Sequence, residues 1–347
     1  MKLALDATYA LDRNPSGVAV YSREILHGTA AAHPEARFLF CYRPHRFLRS
    51  FHSPLPPNCS RRLLHEPLVP RSADLFHGLN QRLPDAALRR TVATFHDLFV
   101  ITGDYSTPEF RRRFERQAKD AASRADLLIA VSDFTARQVQ TCLGIARERL
   151  RVIHHGVRLP DPAPPDVNAR ERIVLHVGAI QKRKNIIRLV RAFEQMSAEW
   201  RLVLAGSHGY GSAEILHTID TSSARDRISV LGYTPEEELR RWYARAAIFA
   251  FPSLDEGFGM PVLEAMAWNV PVLTSDRSAL TEVSGDAAIA VNPEDVDALA
   301  VNLRELGENR ELRKELQSRG RRRAANFTWT AAVSKTWAVY SELLSIR

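Results

Sequence analysis

The stretch Glu256–Glu264, EGFGMPVLE, decides the fold and most of the chemistry of this chain. It follows an apolar run, Ala246–Phe251, that predicts a buried strand, and it leads into Val262–Trp268, which predicts a helix. Pro261 suits the first position of that helix, where a missing N–H costs no hydrogen bond. A strand, a glycine turn and a helix in this order place the turn where α/β domains bind ligands.

The turn suits a ligand that carries both phosphate and hydroxyl groups. Gly257 and Gly259 let the backbone approach a ligand closely, and the N-terminus of the following helix attracts an anion. The carboxylates of Glu256 and Glu264 repel phosphate, so we expect them to bind hydroxyls. The alternative is an ordinary strand–turn–helix connection in which both carboxylates are exposed to solvent. The flanking pattern favours a site for a sugar joined to a nucleoside diphosphate.

Length and composition predict a two-domain globular protein. The 347 residues exceed the size of one typical core, and 45% apolar with 25% charged residues is ordinary for a soluble chain. No apolar run approaches the ~20 residues that a membrane span requires. The N-terminal apolar run is too short for a signal peptide, so we expect a cytoplasmic protein. Three cysteines without metal-binding spacing, predicted to be small buried residues, agree with a reducing compartment: Cys41, Cys59 and Cys142.

The net charge of +8 includes two arginine clusters, Arg111–Arg113 with Arg116, and Arg319 with Arg321–Arg323. Such clusters most often form solvated helix faces. The alternative is peripheral contact of a basic face with the anionic inner surface of the cytoplasmic membrane. We expect no nucleic-acid partner, because the chain has no basic strand interleaved with aromatic residues and no zinc knuckle.

Strand and helix patterns alternate almost throughout the chain. This alternation predicts an α/β protein with two tandem Rossmann-like, doubly wound domains that face a central cleft. We place the first domain at 1–157, a proline-rich linker at 158–171 and the second domain at 172–328. The predicted strands are Leu3–Asp6, Phe38–Cys41, Asp74–His77, Val92–His96, Leu127–Val131, Ile173–Val177, Leu202–Ala205, Ile228–Leu231, Ile248–Phe251, Val270–Thr274 and Ala287–Val291.

A basic loop, AIQKRKN at 179–185, follows a predicted strand of the second domain. Its Arg183 and Lys184 are predicted to bind a diphosphate and to stabilise it as it leaves with increasing charge. One close charge pair contributes roughly 4 kcal/mol at an effective dielectric of ~20. A basic helix start is the alternative, although cations oppose the helix dipole there. We see no carboxylate cage for magnesium, since Asp295 reads as a helix cap, and we predict neither metal nor cofactor.

Three further loops follow predicted strands. Gly206 is predicted to form a cleft wall near the nucleobase or a phosphate. In the segment 14–17, NPSG, Ser16 and Gly17 either contact a phosphate or an acceptor hydroxyl, or only cap the next helix. His96 ends a strand, where it either orients the transferred sugar or has a structural role.

Four segments together resemble the family-four retaining glycosyltransferases of glycosyl transferases group 1, which have the GT-B fold. The similarity extends over nearly the whole chain. The segments are Ala93–Leu98 (ATFHDL), Val131–Val139 (VSDFTARQV), His176–Asn185 (HVGAIQKRKN) and Phe251–Asp276, of which the last is highly specific.

The resemblance assigns roles to the predicted site. Glu256 contacts the donor sugar, Glu264 holds the ribose diol, and Lys184 binds the diphosphate. Arg183 supplies a second cation, because Ala179 stands where many relatives carry an arginine. His96 lies over the transferred sugar. The backbone near the donor comprises Gly257, Phe258, Gly259 and Met260.

The resemblance also implies the reaction. A hexose leaves a nucleotide-diphosphate sugar with retained configuration, and the leaving phosphate oxygen deprotonates a saccharide or lipid-linked acceptor. The segments look most like mannosyltransferases that use GDP-mannose in cell-surface polysaccharide synthesis. The C-terminal helix, 329–347, resembles the family's return crossing onto the first domain. Two alternatives stay open: a nucleotide-sugar epimerase on the same fold, and a non-catalytic basic binding protein.

Overall fold

Two parallel sheets organise the chain, and a computed structural model describes residues 1–12, 16–66, 68–161, 164, 166 and 170–345. The first unit comprises Met1–Gly156 with Thr328–Arg347, and the second comprises Val157–Phe327. Strand β8 of the second unit begins at Glu171, at the end of the segment predicted as a linker. Other residues of that segment, 162, 163, 165 and 167–169, lie outside the described residues.

The first unit contains a seven-stranded sheet in which every paired strand is parallel. Its strands are Lys2–Asp6 (β1), Arg37–Tyr42 (β2), Cys59–Leu63 (β3), Leu75–Gly78 (β4), Thr91–Phe95 (β5), Leu127–Ala130 (β6) and Leu150–Val152 (β7). They lie in the order β3-β2-β1-β4-β5-β6-β7. Along β1, Leu3 and Leu5 enter one core and Ala4 enters the core on the opposite face. Both faces of this sheet are therefore covered, as in doubly wound folds.

Helices cover both faces of the first sheet. They are Gly17–Ala32 (α1), Pro44–Phe47 (α2), Phe99–Thr102 (α3), Pro108–Arg124 (α4) and Asp133–Leu143 (α5), with 3₁₀ turns at Thr8–Leu11, Leu48–His52 and Arg147–Arg149. The C-terminal helix, Trp329–Ser345, packs on this unit: the Tyr340 hydroxyl is hydrogen-bonded to Nδ1 of His77 at 2.6 Å. Residues 346 and 347 of the predicted helix lie outside the described residues.

The second unit contains a six-stranded parallel sheet in the order β10-β9-β8-β11-β12-β13. Its strands are Glu171–Val177 (β8), Arg201–Ala205 (β9), Ile228–Gly232 (β10), Ala246–Phe251 (β11), Val272–Ser275 (β12) and Ile289–Val291 (β13). Its helices are Ile186–Phe193 (α6), Ser212–Asp220 (α7), Glu236–Arg245 (α8), Met260–Ala267 (α9), Ala279–Ser284 (α10), Val296–Glu308 (α11) and Arg310–Ala325 (α12), with 3₁₀ turns at Lys182–Lys184 and Arg225–Arg227. The prediction of two doubly wound domains is confirmed.

Three local predictions, those for Pro261, Cys59 and Cys142, were wrong. Helix α9 begins at Met260 behind the cap residue Gly259, so Pro261 occupies the second helical position rather than the first. Cys59 and Cys142 are only partly buried, because each lies near the edge of its core, whereas Cys41 is fully buried. The cap at Asp295 is confirmed: its Oδ1 accepts a hydrogen bond from the backbone N–H of Ala298 at 2.9 Å.

The two arginine clusters differ in their surroundings. On α4, Arg112 and Arg116 are exposed, as a solvated helix face requires. On α12, Arg323 donates to the Val283 carbonyl oxygen at 2.9 Å, and Arg321 lies 3.4 Å from Asn269 Oδ1. The second cluster therefore holds α12 against α10, which contains Val283, and against the turn after α9, which contains Asn269. None of the helices within the described residues is both long enough and apolar enough to cross a membrane.

Candidate active site

The candidate site lies at the carboxyl ends of β8 and β11, where the strand order of the second sheet reverses. These two strands are hydrogen-bonded neighbours, with Val174 opposite Ile248. In doubly wound folds, the loops that follow two such diverging strands form the edge of the sheet at which ligands bind. The two loops are joined: the backbone N–H of Leu254 donates to the carbonyl oxygen of Arg183 at 2.9 Å.

Asn185 fixes the basic loop to the rest of the site. It adopts a left-handed backbone with φ of 58°, a conformation that asparagine tolerates better than most residues. Its buried Nδ2 donates to the carbonyl oxygens of Pro252 at 3.1 Å and Pro293 at 2.6 Å. Asn185 ended the basic loop predicted from the sequence but was not predicted as a site residue. Asparagine adopts a left-handed backbone more readily than most residues, and this one stands next to a predicted helix start. That combination was the signal from which its role could have been predicted.

Arg183, Lys184 and Glu256 form a buried ion triad. Lys184 Nζ lies 2.5 Å from Oε1 of Glu256, and Arg183 Nη1 lies 2.8 Å from Oε2. Arg183 also donates to the backbone carbonyl of Asp255. The three residues are only 6–7% exposed. Two cations against one carboxylate leave the triad with a net charge of +1, which favours an anionic ligand.

The Glu256 carboxyl of the triad is ionised at neutral pH. Burial alone raises the pKa of the Glu256 carboxyl, but the Arg183 and Lys184 cations outweigh burial and hold this pKa at about 2. Lys184 Nζ also lies 4.5 Å from the centroid of the Phe251 ring, within the range of a cation–π contact. The ammonium group is thus held between the last residue of β11 and the carboxylate that follows it.

One close side-chain contact and one close backbone contact explain why glycine occupies two positions in the loops around the triad. Gly259 has φ of 101°, and a Cβ atom there would lie 2.6 Å from Cδ2 of Leu280. A Cβ atom on Gly206 would lie 1.9 Å from the carbonyl oxygen of Gly178, so the loops after β8 and β9 pack backbone against backbone. Gly206 therefore has a packing role, and its predicted donor contact stays a prediction.

Glu264 lies on α9 and pairs with a residue that was not predicted. The hydroxyl of Tyr243, a buried residue on α8, donates to Oε2 of Glu264 at 3.0 Å. Burial raises the pKa of the Glu264 carboxyl, and the Tyr243 hydrogen bond partly offsets this rise. Tyr243 is the one buried residue of α8, and a single tyrosine in a charged helix was the signal that could have identified it.

The other predicted site residues belong to the first unit. His96 follows β5, and its Nε2–H donates to the carbonyl oxygen of Leu79 at 2.9 Å. Burial lowers the pKa of His96 to about 4, so the imidazole is neutral at pH 7. Ser16 is the N-cap residue of α1, but its side chain accepts no hydrogen bond from that helix, and Gly17 is the first helical residue. Residues 14 and 15 of the same predicted loop lie outside the described residues.

Two family models match the chain in succession. The model described as Glycosyltransferase Family 4 matches residues 15–160, and the model described as Glycosyl transferases group 1 matches residues 159–323. O-antigen chain mannosyltransferase B from Escherichia coli is 31% identical over 284 residues, which cover 78% of this chain and 74% of that protein. This chain is a family-four, group 1 glycosyltransferase. The predicted family is confirmed, and with it a hexosyltransferase enzyme.

Further comparisons agree with this family. The MMP alpha-(1->4)-mannosyltransferase of Mycolicibacterium hassiacum is 31% identical over 250 residues, or 70% of this glycosyltransferase and 58% of that protein. Sucrose-phosphate synthase from Thermosynechococcus elongatus superposes with a TM-score of 0.81 at 22% identity over 100% of both chains. HepE from Anabaena, solved in complex with UDP-glucose, has a TM-score of 0.76 at 18% identity, covering 99% of this chain and 100% of its own. The glycosyltransferase has the GT-B fold.

The structure groups the predicted residues of this glycosyltransferase by unit. It brings together Arg183, Lys184 and Glu256, and the glycine turn joins Glu256 to the start of α9. Glu264 is held separately by Tyr243. His96, Ser16 and Gly17 belong to the first unit. The triad can stabilise negative charge on a leaving group, whereas its carboxylate can accept hydrogen bonds from hydroxyls.

Proposed function

We propose that the second unit binds a nucleotide-diphosphate sugar, with the diphosphate on Arg183 and Lys184. The observation that carries this proposal is the buried triad, since two cations share one carboxylate at the ligand-binding edge of the sheet. Glu256 and the backbone at Gly257–Met260 contact the hexose, and Glu264 binds the ribose diol. The N-terminus of α9 adds a favourable field for phosphate.

We propose that the donor is GDP-mannose and that the product belongs to a cell-surface polysaccharide. The relatives that support this choice are an O-antigen chain mannosyltransferase of E. coli and one of Salmonella typhimurium, the latter 28% identical over 210 residues. The acceptor is then a saccharide or a lipid-linked saccharide, bound by residues of the first unit.

Transfer proceeds with retention and without a metal ion in this proposal. The bond between the anomeric carbon and the diphosphate oxygen breaks as the acceptor oxygen bonds to the anomeric carbon on the same face. The acceptor proton goes to the departing phosphate oxygen, so the reaction needs no basic side chain. Lys184 and Arg183 stabilise the charge that develops on the diphosphate, the part that a divalent cation takes in other transferases.

A donor panel in EDTA tests the proposed function. GDP-mannose is expected to raise the melting temperature of the purified enzyme more than UDP-glucose or ADP-glucose, because a tighter ligand stabilises the folded state more at equal concentration. Mannose transfer should continue unchanged in excess EDTA. Activity that disappears in EDTA and returns with Mn²⁺ would contradict the metal-free mechanism. Isomerised donor after incubation without acceptor would instead indicate an epimerase.

We also propose peripheral contact of α4 with an anionic membrane, through the exposed Arg112 and Arg116. Each arginine near such a surface contributes about 1 kcal/mol, so Arg112→Glu with Arg116→Glu should weaken binding by about tenfold or more. Co-sedimentation with phosphatidylglycerol vesicles measures this effect. Reversing Arg322, an exposed arginine of α12, provides the control. Equal binding by the parent and the α4 variant, or no binding by either, would refute the contact.

A further inference from the structure

Ser278 lies between β12 and α10 and has a backbone conformation that serine rarely adopts. Its φ is 59° and its ψ is −150°, a region that essentially only glycine occupies. Among the described residues, the other non-glycine residues with positive φ are Asn185 and Asn269, and asparagine is enriched at positive φ. Ser278 is therefore a strained residue, and such strain is concentrated at ligand sites and in segments that change conformation.

Two backbone hydrogen bonds hold the chain on either side of Ser278. Before it, the N–H of Asp276 donates to the carbonyl oxygen of Val291 at 2.9 Å, which fixes the loop to the end of β13. After it, the N–H of Ala279 donates to the carbonyl oxygen of Glu256 at 3.2 Å. Because the chain is held at both points, Ser278 cannot relax its φ freely. The strain therefore results from the attachment of this loop to Glu256.

The start of α10 also packs against the glycine turn. Cδ2 of Leu280 lies so close to Gly259 that a Cβ atom there would be only 2.6 Å away. The strands that lead into the two loops are joined as well, because Oγ1 of Thr274 donates to the last carbonyl oxygen of β11 at 3.0 Å. Ser278 therefore borders the turn that we assign to the hexose of the donor.

The hydroxyl of Ser278 has no hydrogen-bond partner within the described part of the chain, although its Oγ atom is buried. Serine at the N-cap of a helix normally accepts a hydrogen bond from that helix, but Ser278 makes no such bond with α10. A buried hydroxyl without a partner is unfavourable. Glycine would adopt the same backbone without strain and without the unpaired group. In the unbound enzyme, serine is thus unfavourable at this position for two reasons.

The displacement of Glu256 by the donor identifies a partner for this hydroxyl. In the unbound enzyme, the two carboxylate oxygens of Glu256 pair with Arg183 and Lys184. A diphosphate bound to the same two cations displaces the carboxylate, which then requires another hydrogen-bond donor because a buried charge without a partner is unfavourable. The Ser278 hydroxyl is a buried donor in the neighbouring loop, and the Ala279 hydrogen bond holds that loop on the Glu256 backbone.

We propose that Ser278 is a positioning residue for Glu256. In the donor complex, the Ser278 hydroxyl donates a hydrogen bond to the displaced carboxylate and holds it towards the hexose. This proposal rests on the proposed donor site and adds to it a residue of the loop after β12. It explains why serine occupies a backbone conformation that glycine would adopt at lower cost.

A double-mutant cycle on the intact enzyme, with GDP as the probe, tests this role. Ser278→Ala should weaken GDP binding by about tenfold, because the displaced carboxylate loses its hydrogen-bond donor. In a Glu256→Ala background, the same substitution should change the GDP affinity by less than about twofold, since no carboxylate is present. Isothermal titration measures the four affinities.

A second variant and a matched control separate the hydroxyl from the backbone. Ser278→Gly removes both the hydroxyl and the strain, so it should show the same tenfold loss and melt at a higher temperature than Ser278→Ala. Ser284→Ala is the control, because Ser284 lies within α10 and also has a buried hydroxyl without a partner among the described residues. It should bind GDP as the parent enzyme does, in both backgrounds.

The outcomes separate the role of Ser278 from the proposed function. An equal loss from Ser278→Ala in both backgrounds would show that the hydroxyl does not act through Glu256, and it would overturn the positioning role. Unchanged GDP binding by Ser278→Ala would do the same, as would a loss confined to Ser278→Gly, which would assign the effect to the backbone. If GDP fails to bind even the parent enzyme, the proposed donor site fails, and the role of Ser278 fails with it.

Discussion

Lys184→Ala is expected to lower kcat for hexose transfer by about 10²–10³-fold, the usual effect of removing one group that stabilises charge developing in a transition state. The Lys184 ammonium is buried and held on Glu256 and the Phe251 ring, so it is already desolvated and oriented before the donor binds. Arg183 still neutralises Glu256 in this variant. We therefore expect the loss to come from the reaction and not from unfolding.

The matched control is Lys182→Ala, two residues earlier in the same loop. Lys182 is exposed, and it should be replaceable with the activity of the parent enzyme. Steady-state transfer rates and thermal melting of both variants, measured in the same buffer, separate catalysis from stability. Normal turnover by Lys184→Ala would remove this side chain from the mechanism. Equal losses in both variants would indicate a general effect of loop charge.

The sequence predicted the central strands of both sheets and the edge strands of the second sheet, but it missed both edge strands of the first sheet. Ala246–Phe251 is apolar throughout because β11 is buried on both faces, and such a run is recognisable without any partner. The strands β3, Cys59–Leu63, and β7, Leu150–Val152, were not predicted. They are the two edge strands of their sheet. An edge strand is partly open to solvent, so its polar sequence, such as CSRRL, lacks the expected pattern.

The site residues could be predicted individually, but their pairing could not. Lys184 and Glu256 lie 72 positions apart, and each was predicted as a ligand for a different part of the donor. Their contact depends on β8 and β11 being neighbours, and strand order is a property of the whole sheet. The Tyr243 hydrogen bond to Glu264 depends in the same way on how α8 and α9 pack.

Glu256→Gln is expected to tighten the binding of GDP by about tenfold while lowering transfer by about 10²-fold or more. In the structure the Glu256 carboxylate pairs with Arg183 and Lys184, the two cations that we assign to the diphosphate. The diphosphate must therefore displace this carboxylate when the donor binds. One such pair contributes roughly 4 kcal/mol at an effective dielectric of ~20, and a third of that free energy corresponds to a tenfold change in affinity. Glutamine keeps the shape without the competing charge, but it binds the hexose hydroxyls more weakly.

Isothermal titration with GDP measures the affinity, and a GDP-mannose transfer assay measures the rate. The charge of Glu256 has to be removed by substitution, because the pKa of this carboxyl is about 2. A pH low enough to protonate Glu256 would also protonate many other carboxyl groups of the protein. Glu264→Gln provides the opposite expectation: the ribose diol loses a charged acceptor, and GDP binding should weaken. If Glu256→Gln weakens GDP binding as Glu264→Gln does, Glu256 does not compete with the diphosphate for Arg183 and Lys184. The two carboxylates then do not have the separate roles proposed for them.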